Sequence, residues 1–190
     1  MKCLLCENFS LSHICPTCQD LYLKPSIFKR KILDVDVISF YRYKDIKELL
    51  YTKHKNLGFY IYKILAKNSF EKFAKEFEFT NTIASIAVDD NIKSGYSHTA
   101  ILNNALKSKN IKPLFNKLRA KHDISYSGKS REFRILNQRD FELKTFTQQD
   151  TILVDDIITT GSTLTQAINT LRADKKEVLF CLTLADARLK

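Results

Sequence analysis

Apolar positions along the chain follow two periods, and the changes between them mark out the elements. Val35, Val37, Ile38, Phe40, Tyr41 and Tyr43 form a β-rich run that predicts a strand or hairpin. Ile46, Leu49 and Leu50 then recur at spacings of three and four, as one face of a helix does. Gly58 breaks the pattern, and Phe59, Ile61, Ile64, Leu65, Phe70, Phe73 and Phe77 continue it as an amphipathic helix facing a core. Thr82 to Val88 is a short apolar run suited to a parallel strand buried on both faces, and a helix from Thr99 through Leu106 follows. Ile111 to Leu118 predicts the next strand and Ile152-Leu153-Val154 another. Leu164, Ala167, Ile168 and Leu171 give a helix face, and Glu177 to Ala185 the last core strand. Strands alternating with helices predict an α/β domain, a parallel sheet with flanking helices whose ligands bind outside the carboxyl ends of the strands.

The first residues do not fit that pattern. Cys3, Cys6, Cys15 and Cys18 read C-x2-C-x8-C-x2-C, and each short turn can place two thiolates on one side of a tetrahedral zinc ion. A disulfide pair is disfavoured in a reducing compartment, and a redox C-x-x-C accounts for one pair but not both. His13 is an alternative ligand. About twenty residues cannot bury a core without such a staple, and a closed four-thiolate site leaves no open position for catalysis, so the metal is expected to be structural. Leu21 to Lys31, with Pro25 and Lys29-Arg30-Lys31, reads as a linker or domain edge. The expected organisation is a zinc module over residues 1–24 and a second domain over 25–190, divided into an N-terminal strand and helix region (25–80) and a core sheet (81–190). Cys181, alone in an apolar strand, is expected to be a buried core residue.

The chemistry concentrates in Thr151 to Thr163, TILVDDIITTGST. An ordinary strand-to-helix junction would explain the hydroxyls as caps, but not the acids. Asp155 and Asp156 at the end of a buried strand would repel one another unless ribose hydroxyls, a metal or a cation share them. The turn Thr159-Thr160-Gly161-Ser162-Thr163 offers backbone N–H groups, hydroxyls and a helix N-terminus, which together make a phosphate cradle. The segment resembles the phosphoribosyl pyrophosphate (PRPP) loop of type I phosphoribosyltransferases. That resemblance implies that Asp155 and Asp156 hold the ribose hydroxyls and that Thr159, Thr160, Gly161, Ser162 and Thr163 hold the 5′-phosphate.

Charge adds a second theme. The 190 residues carry 31 Lys and Arg against 21 Asp and Glu, a formal net charge of +10. Thr151 to Lys190 is balanced, so the excess lies upstream, and a basic surface suits nucleic acid, an anionic lipid surface or a polyphosphate. Tyr43, Tyr51 and His54 interleave with Lys44, Lys47, Lys53 and Lys55, which reads either as a strand-binding patch with stacking rings or as a solvated helix face. Lys129, Arg131 and Arg134 belong to a second basic cluster between Lys117 and Arg139. Lys93 and the N–H groups near Gly95 follow a core strand and read either as a pyrophosphate contact or as an exposed turn. No run of 18 or more apolar residues exists and the N-terminus lacks a long apolar segment, so neither a membrane span nor a secretory signal is expected.

Taken together, the four cysteines, Gly95-Tyr96-Ser97-His98, Gly128 to Asn137 with Phe141, and DDIITTGST resemble the ComF competence family over almost the whole chain. Usual members read R-G-F-N-Q at the first of these stretches, so Ser94 to His98 departs from the pattern. The resemblance implies a cytoplasmic protein, peripheral at the inner membrane at most, that binds PRPP with Mg²⁺ and acts in DNA uptake during natural transformation beside a DNA-translocating helicase. Lys129 and Arg131 would then lie in a loop closing over pyrophosphate, and Lys129, Arg131, Arg134, Lys53 and Lys55 are candidate contacts to single-stranded DNA. Nucleobase salvage, with PRPP and Mg²⁺ as substrate pair, is the alternative. Purine-salvage enzymes resemble E-D-I-I-D-T-G-x-T at the loop and place an acid where this chain has Thr159. A binding module that has lost its chemistry is a third possibility.

Overall fold

Strand β7 (Asp150–Ile158) lies inside a six-stranded sheet of order β1-β2-β8-β7-β3-β4. The computed structural model describes residues 1–88, 95–121 and 140–188. On one side of β7 runs β8 (Glu177–Asp186), followed by β2 (Val35–Arg42) and the edge strand β1 (Phe28–Ile32). On the other side run β3 (Ile83–Ala87) and β4 (Ile111–Leu114). Every pairing is parallel except β1 with β2, which closes as a hairpin. The parallel strands therefore all end at one edge of the sheet, and ligands of such sheets bind outside that edge.

Alternation along the strands supplies two apolar faces. Ile152 and Val154 of β7 join one core cluster, together with Leu182 and Leu184 of β8. Leu153 of β7 joins the other, with Val37 and Cys181. Four helices cover the first face: α2 (Tyr43–Leu50), α3 (Asn56–Asn68), α4 (Phe70–Glu76) and α5 (His98–Ala105). The second face is covered by α6 (Ser162–Ala173), which buries Leu164, Ala167, Ile168 and Leu171, and by the small antiparallel pair β5 (Leu118–Ala120) and β6 (Phe141–Leu143). Burial of Leu164, Ile168 and Leu171 contributes roughly 2 kcal/mol each, and Ala167 less than about 1 kcal/mol, enough to dock α6 firmly. From β7 the chain leaves through α6 toward β8, and from β3 it leaves through α5 toward β4. The gap between β7 and β3 is therefore the topological switch point.

Three local readings change. The basic run Lys29-Arg30-Lys31, read as a linker, is an edge strand, with Lys29 and Lys31 exposed and Arg30 turned inward. Charged side chains on an edge discourage pairing with another sheet. Gly58, read as a breaker, lies in the first turn of α3, and the break comes at Ser69, which separates α3 from α4. The strand predicted over Ile111 to Leu118 stops at Leu114, and Leu118 opens β5.

The N-terminal segment docks on the same core. α1 (Pro16–Tyr22) begins at Cys15, whose sulfur accepts from the N–H of Cys18. Cys3, Ile14, Cys18 and Leu23 are buried in one cluster with Phe40, Ile61 and Tyr62. The Tyr41 hydroxyl donates to the Leu23 carbonyl at 2.8 Å, and Asn68 Nδ2 donates to Gln19 Oε1 at 2.9 Å. Among the described residues no helix is long and apolar enough to cross a membrane.

Candidate functional site

The turn after β7 is built around Gly161, which caps α6 at φ +89°. A side chain there would face both the left-handed backbone and the side chain of Ile32 in β1, with which a Cβ would collide. Behind the turn, Arg30 Nη2 donates to the Thr159 carbonyl at 2.8 Å and Arg30 Nε lies 3.1 Å from Asp186 Oδ2. Burial lowers the pKa of Arg30 and the Asp186 charge opposes that shift. Arg30 Nη1 is buried with no hydrogen-bond partner among the described residues. Thr165 donates its N–H to the Gly161 carbonyl at 2.8 Å, and the Thr160 and Ser162 hydroxyls bond each other at 2.9 Å. The turn is thus anchored through its carbonyls, and it carries hydroxyls at the N-terminus of a twelve-residue helix.

The two acids part company. The strand does not stop at Val154 but continues through Ile158, so its alternation applies to Asp155 and Asp156 as well. Asp155 falls on the face of Leu153 and Cys181, and burial together with the Asp155 charge pushes the Cys181 thiol up to about 12. Asp156 falls on the opposite face, toward α3 and α5. Both are nearly enclosed, at 9% and 7% exposure.

Asp156 sits at the meeting point of four elements. Its Oδ2 accepts from Lys53 Nζ at 3.2 Å and from the Tyr62 hydroxyl at 3.4 Å, and lies 3.3 Å from His98 Nε2. Its Oδ1 accepts the Ile157 N–H at 2.8 Å. Burial pushes its pKa up, but the charges and hydrogen bonds of His98 and Lys53 outweigh burial and hold it well below the usual carboxylate range. Burial, then the Asp156 charge, push Tyr62 well above the usual phenol value. Lys53 comes from the 3₁₀ turn Tyr51–His54, and Tyr96 fixes that turn by donating its hydroxyl to the Lys53 carbonyl at 2.6 Å. Gly58 makes this possible, since a Cβ there would collide with the Thr52 carbonyl and the Tyr96 hydroxyl. Ser97, the cap of α5, accepts the Ala100 N–H at 3.1 Å and so sets the helix start that presents His98.

The four cysteines come together as a separate centre. The sulfurs of Cys3, Cys6, Cys15 and Cys18 all lie within 4.8 Å of one another. Cys6 and Cys15 are 3.8 Å apart. A tetrahedron with metal–sulfur bonds of about 2.3 Å has edges of about 3.8 Å, so the cluster fits a four-thiolate ion. The Cys15 N–H donates to Cys3 Sγ at 3.3 Å. Burial opposes ionisation of Cys3, yet N–H donors from Cys15, Leu5 and Cys6 bring it down to about 6, while burial and hydrogen bonds to Cys15, Cys6 and Cys3 push Cys18 up, so the thiolate is favoured at Cys3 first. His13 packs its ring on Tyr60 at 4.8 Å between centroids.

Of the remaining sequence-predicted residues, Lys55 is exposed just before α3, while Lys53 is engaged by Asp156. Lys93, Lys129, Arg131 and Arg134 lie outside the described residues. Tyr62 and Asp186 belong to no motif in the sequence, Arg30 stands there only in the basic run Lys29-Arg30-Lys31, and His98 only in Gly95-Tyr96-Ser97-His98. Tyr62 carries no local signal, because an aromatic on an apolar helix face reads as core.

A family model, PRTase-CE, matches residues 31–188. A search of curated proteins finds no match. Among solved structures, similarity extends to the UMP synthase of Leishmania donovani, at 18% identity and TM-score 0.39, over 66% of this chain and 22% of that one. A hypoxanthine phosphoribosyltransferase from Staphylococcus aureus aligns at 16% identity and TM-score 0.41, over 66% of this chain and 62% of that one. The hypoxanthine phosphoribosyltransferase of Trypanosoma cruzi, in a ternary substrates complex, aligns at 21% and 0.40, over 67% and 66%. The chain thus spans less than two thirds of the first two proteins it resembles, and likenesses at this level carry no activity across.

Proposed function

The chain belongs to the PRTase-CE family, and from that premise we propose that it binds PRPP at the carboxyl edge of β7, with the 5′-phosphate on Thr159 to Thr163 and the ribose beside Asp155 and Asp156. The observation that carries this reading is the left-handed Gly161 turn at a helix N-terminus, standing at the switch point of the sheet with Arg30 Nη1, buried and without a partner among the described residues, behind it. In this reading Asp156 exchanges partners. Ribose hydroxyls replace Lys53 or His98 at Oδ2, and the released side chain turns to the pyrophosphate. Mg²⁺ arriving with PRPP would neutralise the charge of the leaving group. Lys93, Lys129 and Arg131 are the proposed pyrophosphate-side residues.

The cysteine centre is proposed to hold structural zinc within a module of residues 1–24. The finer biological reading rests on the resemblance to the ComF competence family and on the net charge of +10: a cytoplasmic protein, peripheral at the inner membrane at most, acting in DNA uptake with a helicase partner. Single-stranded DNA would lie along Lys129, Arg131, Arg134 and Lys55, while Lys53, also a candidate there, serves Asp156 in this state.

Calorimetry with PRPP and Mg²⁺ tests the central claim. The Asp155→Ala Asp156→Ala double variant should lose affinity. Because Asp156 holds three other groups, Ser162→Ala with Thr163→Ala, at partly exposed positions, separates binding from folding and should weaken PRPP at least tenfold. Native affinity in that second variant sinks the reading. Pyrophosphate release that depends on an added nucleobase would instead favour salvage.

A further inference from the structure

Between α3 and α5, beside but not within the PRPP region, lies a cavity of about 490 Å³. That volume suits one small aromatic ligand. Its walls include Phe59, Tyr96 and Phe115, two of which stay substantially exposed although the domain has an ample core to receive them. Lys63 and Lys67 rise along one side, four residues apart on α3, and Asn104 of α5 also lines the cavity. Ala66 of α3 and Ala100 and Ala105 of α5 also line it. Among the described residues the lining carboxylate is Glu71, already paired with Lys75 at 2.7 Å, so of these residues the two lysines set the sign of the potential. Lys63 Nζ lies 5.3 Å from the centre of the Phe59 ring, so cation and aromatic surface form one unit.

Rings for a flat π-system, an amide for a base edge and two ammonium groups for an anion define a nucleotide-shaped set of contacts. We propose that this cavity binds a nucleotide, the base against Phe59 and Phe115 and the phosphate on Lys63 and Lys67. The shared chemistry is a nucleobase bearing a phosphate, supplied either as a free mononucleotide or as one unit of a single strand. The site does not depend on PRPP binding, because none of its walls belongs to residues 155–163. Tyr96 links it to the neighbouring site, since its ring lines the cavity while its hydroxyl holds the backbone of Lys53.

The test titrates the intact protein by calorimetry with AMP, with a ten-residue oligothymidylate and with inorganic phosphate, each at low and moderate salt. Saturable binding of AMP or the oligonucleotide is expected, with phosphate alone at least tenfold weaker. A strand that binds while AMP does not assigns the source to single-stranded nucleic acid, and the converse to a free nucleotide. Lys63→Glu with Lys67→Glu, both exposed positions, should abolish binding, and Phe115→Ala should weaken it about tenfold. PRPP affinity should be unchanged in both variants. Binding that survives both substitutions, or phosphate binding as tightly as nucleotide, overturns the proposal. A wild type that fails to bind PRPP would sink the PRPP reading and leave this one intact.

Discussion

Asp156 shows how a single carboxylate can be charged in an almost dry place. Three groups from distant parts of the chain compensate it, and their combined pull overcomes the cost of burial. Its folded pKa lies below the value of about 3.9 it has in an unfolded chain, so between those two values the unfolded state binds the additional proton. The stabilisation is therefore complete above about pH 4 and is lost as pH falls through the folded value. Urea unfolding of the wild type at pH 7 and pH 3 should register that loss. Asp156→Asn should be destabilised by about 2 kcal/mol at pH 7, since it leaves Lys53 facing a neutral amide, and should lack this share of the acid sensitivity. An unaltered pH slope in the variant would mean that Asp156 does not carry it.

At the scale of elements, the site depends on how α3, the 3₁₀ turn and α5 fit one another. Gly58 allows the Thr52 carbonyl and the Tyr96 hydroxyl to close on α3, and Tyr96 in turn fixes the backbone of Lys53. Helix propensity alone predicts that Gly58→Ala gains about 1 kcal/mol. The collision predicts the reverse, a net loss of about 1–3 kcal/mol by thermal or urea unfolding, with weaker PRPP binding as Lys53 shifts. A stabilised variant with native affinity would show that the turn and Tyr96 can move without disturbing Asp156. The basic edge strand follows the same logic from the other side, since β1 brings both Ile32 and Arg30 against the phosphate turn.

For the whole molecule, the consequential feature is that the cysteine centre does not stand apart. Cys3, Ile14, Cys18 and Leu23 share a core cluster with Phe40, Ile61 and Tyr62, and Tyr62 reaches Asp156. Metal held by the four thiolates would therefore stabilise α3 as well as the N-terminal segment, because binding energy at such a centre is folding energy. Chelation, or Cys18→Ser, should lower the melting temperature by more than about 10 °C in a single transition and weaken PRPP binding with it. An early, separate transition of the N-terminal segment, with the remainder unchanged, would contradict this coupling.

The α/β alternation, the central strands, the α6 face and the four-cysteine cluster follow from local pattern, because hydrophobic period and ligand spacing are properties of neighbouring residues. The turn at Gly161 was legible for the same reason. β1 was not, since a charged edge strand and a linker look alike until a partner strand pairs with it. Adjacency puts Asp155 and Asp156 at one end of the strand, but that the extension of β7 to Ile158 turns their side chains to opposite faces depends on pairing with β8. Which groups meet Asp156 was decided only when residues about a hundred positions apart folded together, and no local period encodes such a contact.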